Sequence, residues 1–171
     1  QSRSSAASDV YKRQVVVATD SEKISNVIDA KGGNAILTDV NHHSGSDRIY
    51  EALCKFDPNS IYDLIINLQG DMPIFDPEVL QNLVSKIKSE DITTLVCKAN
   101  LDEISDPNVV KAVISWDKND EDNGTALYFS RTQVPYNALT YWHHIGIYAW
   151  KRKSLKKFIS LLSLIHISEP T

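Results

Sequence analysis

Asn67-Leu68-Gln69-Gly70-Asp71-Met72-Pro73 follows directly on the apolar run Leu64-Ile65-Ile66. A short apolar run ending in an amide, a glycine and a carboxylate reads as a buried strand that opens into a polar loop. In open α/β sheets the ligand crevice lies outside the C-terminal ends of the strands. Gln69, Gly70 and Asp71 are therefore candidates for a site, with Gly70 admitting a close backbone approach and Asp71 placed to hold Mg²⁺ beside a phosphate. An ordinary strand-to-turn transition, with Asp71 capping the turn, is equally open on these residues alone.

The flanking sequence repeats the strand–helix order. Val15–Thr19 reads as a strand, and Asp20 or Ser21 caps a helix with Ile24, Val27 and Ile28 on one face, stopped at Gly32-Gly33. Asn34–Thr38 is a second strand. After a polar loop, a helix from about Ser46 carries Ile49, Ala52, Leu53 and Phe56 on one side and ends before Pro58. Asp76-Pro77-Glu78 opens another helix, with a cap, a first-turn proline and an acidic residue at the positive dipole end. Ile92–Val96 is a strand. Val109–Trp116 and Ala126–Phe129, joined through Asn123-Gly124, form a hairpin. A strand within Trp142–Trp150 and a basic amphipathic helix complete the series. This order predicts an α/β fold with a mixed, mainly parallel sheet and an antiparallel flap.

The composition excludes several classes. The chain has 171 residues, 42% of them apolar, and a net charge of −4, which gives no electrostatic footprint for nucleic acid. No stretch reaches the roughly 18 apolar residues of a membrane span. No secretory hydrophobic region stands near the start, so a cytoplasmic location is expected. Cys54 and Cys97 are too few and too far apart for a disulfide framework or a zinc site, and buried thiols are expected. His42-His43 and His143-His144 are adjacent pairs, and neighbours on a strand face opposite ways rather than chelating one ion. The sequence contains no Gly-x-x-x-x-Gly-Lys loop, no Gly-x-Gly-x-x-Gly and no nucleophile elbow.

Further polar residues gather at other strand and helix ends. His43-Ser44-Gly45-Ser46-Asp47-Arg48 combines hydroxyls, a glycine and an arginine at a helix start, where free N–H groups bind anions. By themselves these residues favour an ordinary capping segment with a surface arginine, Ser and Asp being the usual cap residues. Arg131 closes a strand, and His144 and Tyr148 lie within another.

Taken in order, VVVATDSEKI, GGNAILT, HHSGSDRIYEA, IINLQGDMPIFDPEVL, DPNVVKAVIS, ALYFSR, VPY and HHIGIYAW resemble the 3-deoxy-manno-octulosonate cytidylyltransferase (CMP-Kdo synthetase) family from about Val15 to about Leu161. The resemblance implies a Rossmann-like fold of the nucleotide-diphospho-sugar transferase type. It implies transfer of CMP from CTP to the anomeric hydroxyl of Kdo, with Mg²⁺, for lipopolysaccharide biosynthesis, in a cytoplasmic homodimer. It assigns Asp71 to the metal and places Gln69 and Arg48 beside the reacting groups. Ser44, Gly45 and Gly70 would line the substrates, and Arg131, His144 and Tyr148 would face the sugar acid. Met72 stands where many members have glutamate, and Asp47 where glutamate is usual. Two alternatives remain: the same chemistry on an 8-amino-Kdo or sialic-acid-like sugar, or a non-catalytic nucleotide-binding domain.

Both ends differ in character from the rest. SDVYKRQ, within residues 1–14, and LIHISEPT, within 163–171, resemble peptides translated from sequencing-adapter DNA, so residues 15–162 are expected to hold a partial cytidylyltransferase domain. The family's opening strand, its Pro-Ala-Arg nucleotide loop and its C-terminal portion find no match. Loss of a central strand is expected to outweigh the ~5–15 kcal/mol stability of a domain, leaving this chain poorly folded and inactive by itself.

Overall fold

The computed structural model describes residues 14–70, 72, 76–87 and 89–161. The chain divides into two units, Gln1–Ile61 and Tyr62–Thr171.

In the first unit, Ser21 accepts a hydrogen bond from the Ile24 N–H and caps helix α1 (Glu22–Ala30), and Gly32 leaves that helix at φ +77°. A positive φ there suits a residue without Cβ. Strands β1 (Val17–Thr19) and β2 (Ala35–Leu37) pair in parallel, as a strand–helix–strand order requires. Helix α2 (Gly45–Phe56) starts from Ser44, whose hydroxyl accepts the Asp47 N–H. The expected apolar face of α1 is only half covered: Ile24 and Val27 remain 48% and 50% exposed, because a two-strand sheet offers little surface to cover them.

The second unit begins with β3 (Leu64–Asn67), followed by α3 (Pro77–Lys86), whose cap Asp76 accepts the Glu78 N–H. Next come β4 (Ile92–Lys98), the short α4 (Leu101–Ser105), β5 (Lys111–Trp116), β6 (Gly124–Ser130), β7 (Trp142–Lys151) and α5 (Arg152–Ser160). The mixed α/β class and the β5–β6 hairpin are as expected. The mainly parallel sheet is not. Among the described residues the one parallel ladder is β1–β2, and β3, β4 and β5 all pair antiparallel to β7. The physical reason is insertion. β3 and β4 point the same way, as their crossover helix demands, but β7 lies between them and takes both sets of backbone hydrogen bonds.

Two faces of this sheet differ. One packs on α3 through Leu83, Ile87, Ile147 and Ala149, with Leu64, Ile66, Leu95 and Ile145 around them. The other carries a row of rings, Phe129, His144, Tyr148 and Trp150, with successive centroids 4.8, 5.4 and 6.1 Å apart, ending on Phe158 of α5. Cys54 and Cys97 are exposed rather than buried. Cys54 sits on the outer side of α2, and Cys97 near the end of an edge strand.

Candidate active site

In the second unit the strand pairings leave a gap along one edge of β7. Along one edge of β7 runs β4. The other edge is shared: β3 pairs with it from Tyr148 to Lys151, and β5 pairs with it at Trp142 and His143. Between them lies His144–Ile147, where the two neighbouring strands diverge at the C-terminal end of β3. The end of β3 that opens on this gap is its C-terminal one, the end of a strand at which α/β sheets place ligands. Here a Cβ added to Gly146 would lie 3.6 Å from Gln69 Cγ and 3.7 Å from Met72 Cε, so Gln69 is laid against the strand at its glycine.

β7 also carries a bulge at this point. The register against β4 jumps from Thr94↔Tyr148 to Leu95↔Ile145, placing Gly146 and Ile147 out of step. His144 and Tyr148, four residues apart, lie on one face, their rings in contact. The Thr94 hydroxyl fills it, with His144 Nε2 at 3.0 Å and the carbonyls of Ile145 and Ile147 at 3.1 and 2.8 Å. A hydroxyl has one proton. When Thr94 donates it to a carbonyl, its oxygen can only accept from His144, which selects the neutral Nε2–H tautomer. Burial, and then the neighbouring His143, push the His144 imidazole pKa down, in keeping with a neutral ring. Burial raises the Tyr148 phenol. His143 faces the other way, its Nδ1 3.1 Å from Glu103.

The sequence-predicted residues of this unit are therefore partly assembled. Gln69 reaches Gly146, and His144 touches Tyr148 ring to ring. Gly70 follows Gln69 with open space where a Cβ would stand. Arg131 lies on the carbonyls of Pro107 and Asn108, at 3.2 and 3.5 Å from its Nη1. Asp71 lies outside the described residues. Thr94 and Phe129, 41% exposed at the open end of the ring row, are site residues that sequence reasoning missed. ALYFSR drew attention to the segment, but the partners of both residues are remote in sequence.

In the first unit, Ser44 caps α2 and also donates to Asp47 Oδ2 at 2.6 Å. Gly45, the first helical residue, has no neighbour within 4 Å of an added Cβ. Arg48 braces the unit: Nη1 donates to Thr38 Oγ1 and Nη2 to Asp20 Oδ2, both at 2.7 Å. Glu51, also missed, ties down the loop before the helix. Its carboxylate accepts the Asp39 N–H at 2.9 Å, meets Lys55 at 2.6 Å and contacts His42 Nε2. Lys55 first, then the Asp39 amide and His42, hold the Glu51 carboxyl down to about 2.

Among the described residues no group of three or more His, Cys, Asp or Glu side chains could hold a metal ion. The described side chains do not by themselves form a magnesium site. No helix among them is long and apolar enough to cross a membrane.

A family model for cytidylyltransferases matches residues 3–166. The 3-deoxy-manno-octulosonate cytidylyltransferase of Paramagnetospirillum magneticum is 44% identical over 150 residues, covering 86% of this chain and 61% of the relative. That of Brucella ovis is 42% identical over 151 residues, covering 86% of this chain and 60% of the relative. A solved structure of CMP:2-keto-3-deoxy-manno-octonic acid synthetase complexed with CTP is similar with a TM-score of 0.74 and 33% identity, covering 87% of this chain and 61% of that one. The chain spans about three-fifths of the length of the curated relatives it matches. The chain belongs to the cytidylyltransferase family, and the relatives named here are 3-deoxy-manno-octulosonate cytidylyltransferases.

Proposed function

We propose that this chain carries part of a cytidylyltransferase that transfers CMP from CTP to 3-deoxy-manno-octulosonate. The anomeric hydroxyl oxygen of the sugar acid bonds to the α-phosphorus. The bond from that phosphorus to the bridging oxygen breaks, pyrophosphate leaves, and the hydroxyl proton passes to solvent. The work of such a site is positioning and charge stabilisation. The observation that carries the reading is the ring row on β7, where His144, Tyr148 and Phe129 offer a neutral imidazole and ring faces on the strand whose Gly146 Gln69 abuts. Hydrogen-bonding tips and apolar ring faces together suit a sugar.

In this reading Arg131 leaves its two carbonyl partners to meet the sugar carboxylate, Arg48 stands beside the reacting groups, and Ser44 and Gly45 line the substrates. Asp71 holds Mg²⁺, which supplies charge neutralisation at the phosphates. The protein acts in the cytoplasm as a homodimer and supplies lipopolysaccharide assembly. The sugar acid in the names of its relatives supports one substrate, and the CTP bound to its structural neighbour supports the other.

Pyrophosphate release from CTP tests this. A full-length protein that carries this sequence is expected to release it with 3-deoxy-manno-octulosonate and more slowly with N-acetylneuraminate. A preference for the second acid, or for the 8-amino analogue, would overturn the substrate assignment.

A further inference from the structure

Lys111 is 0% exposed, although lysine is among the residues least often buried without a partner. Its ammonium is fully engaged. Nζ lies 2.8 Å from Asp106 O, 2.7 Å from Val109 O and 2.5 Å from Arg131 O. An ammonium has three donors, and three carbonyls receive them. Burial pushes its pKa down, and the Asp106 carboxylate opposes that.

The same loop meets a second cation. Arg131 Nη1 rests on Pro107 O and Asn108 O. Four successive carbonyls, from Asp106 to Val109, are thus turned toward Lys111 and Arg131. The next one, Val110 O, accepts the His144 N–H at 2.9 Å. One side chain therefore ties together the backbone at Arg131 and the loop that holds the backbone at His144, without itself reaching the gap beside β7.

We propose that Lys111 is a positioning residue for the sugar-acid half of the site, fixing where Arg131 and His144 stand by clasping the 106–110 loop to the end of β6. The proposal rests on the function proposed above for its consequence in ligand binding, but the clasp itself stands on geometry. A hydrogen bond from a charged donor is worth more than a neutral one, and a carbonyl left without its partner in the interior is costly. Without the ammonium the loop must open to find water, and His144 loses the carbonyl that anchors its amide.

The test is Lys111→Met, which keeps the stem and removes the donors, studied in the whole chain by ligand titration and amide hydrogen exchange. Binding of 3-deoxy-manno-octulosonate is expected to weaken by about tenfold or more while CTP binding stays within about twofold. Exchange of the His144 amide is expected to rise by about tenfold, with the β1–β2 amides unchanged. An unchanged sugar-acid affinity in a folded variant would overturn the proposal, as would equal weakening of both ligands, the mark of a purely structural lysine. Should the unsubstituted chain fail to bind the sugar acid, the proposed function fails, and His144 exchange in the variant alone decides the clasp. Should Lys111→Met not fold, exchange in the unsubstituted chain decides. The Val109 and His144 amides are expected to open together, and opening rates differing by more than about tenfold would contradict the clasp.

Discussion

Thr94 Oγ1 lies 3.0 Å from His144 Nε2, joining two residues fifty positions apart inside the β7 bulge. With the Thr94 proton on the carbonyl of Ile145 or Ile147, this contact sets which nitrogen of His144 carries the proton, and so which atom is left to accept from a ligand. In that arrangement Nε2–H points at Thr94, and Nδ1 is the acceptor. Thr94→Val removes the partner while keeping the shape. It is expected to cost about 1–2 kcal/mol, and imidazole nitrogen NMR is expected to show a mixture of tautomers in place of the single Nε2–H form. A mixture already present in the unsubstituted chain would contradict this assignment.

His144 also gives a pH dependence. Burial, then His143, hold its pKa below the ordinary value of 6.5. The unfolded chain therefore binds more protons than the folded one between the two values, and stability rises with pH across that window. The contribution of the neutral ring is complete above about pH 6.5 and is lost as pH falls toward the lowered folded value. Thermal melts of His144→Gln are expected to lose less stability on acidification from about pH 8 to about pH 5 than the unsubstituted chain does. Equal losses would show that another group dominates.

Glu51 works in the opposite part of the scale. Lys55, the Asp39 amide and His42 hold its carboxyl at about 2, below its ordinary 4.5. A depressed carboxyl contributes stability above the unfolded value, lost as pH falls toward the folded one. Glu51→Gln is expected to flatten the acid-side decline of the first unit and to speed hydrogen exchange at Asp39 and Asn41 near neutral pH. Exchange rates that do not change there would mean that Glu51 does not hold the loop.

Leu83 is 1% exposed at the centre of the α3 face. Leu83→Ala is expected to cost about 2–5 kcal/mol, through lost burial and the cavity left behind. Trp116, Trp142 and Trp150, the chain's three tryptophans, all lie in the second unit, so their fluorescence in denaturant reports this loss directly. An unshifted midpoint would place the core elsewhere.

Gly146 separates packing from access. An alanine Cβ would meet Gln69 Cγ at an ordinary 3.6 Å, so Gly146→Ala should fold and bind much as before. A leucine must displace Gln69 or Met72, and Gly146→Leu is expected to lose sugar-acid binding by about tenfold or more. Equal binding by both variants would remove Gln69 from the site.

The helix starts were legible because capping is local chemistry. Ser21, Ser44 and Asp76 each bond an amide two or three residues onward. Strand existence was legible from apolar runs, but strand pairing was not. Nothing in Trp142–Lys151 announces that it slips between β3 and β4, and strand–helix alternation by itself points to a mainly parallel sheet. Helix α4, from Leu101 to Ser105, is too short to show a period. In the site, the stretch around His144 and Tyr148 stood out, whereas Thr94 and Lys111 did not. A threonine within a strand and a lysine at its start look ordinary until the chain brings His144 to one and Arg131 to the other.

The most direct test of the account is a chemical-shift titration of the labelled chain with 3-deoxy-manno-octulosonate. The largest changes are expected at Gln69, Arg131, Gly146, His144 and Tyr148, with smaller ones at Phe129. Changes centred instead on the open cavity of about 710 Å³ between Lys98–Leu101 and Gln133–Tyr141, with the β7 gap silent, would contradict it.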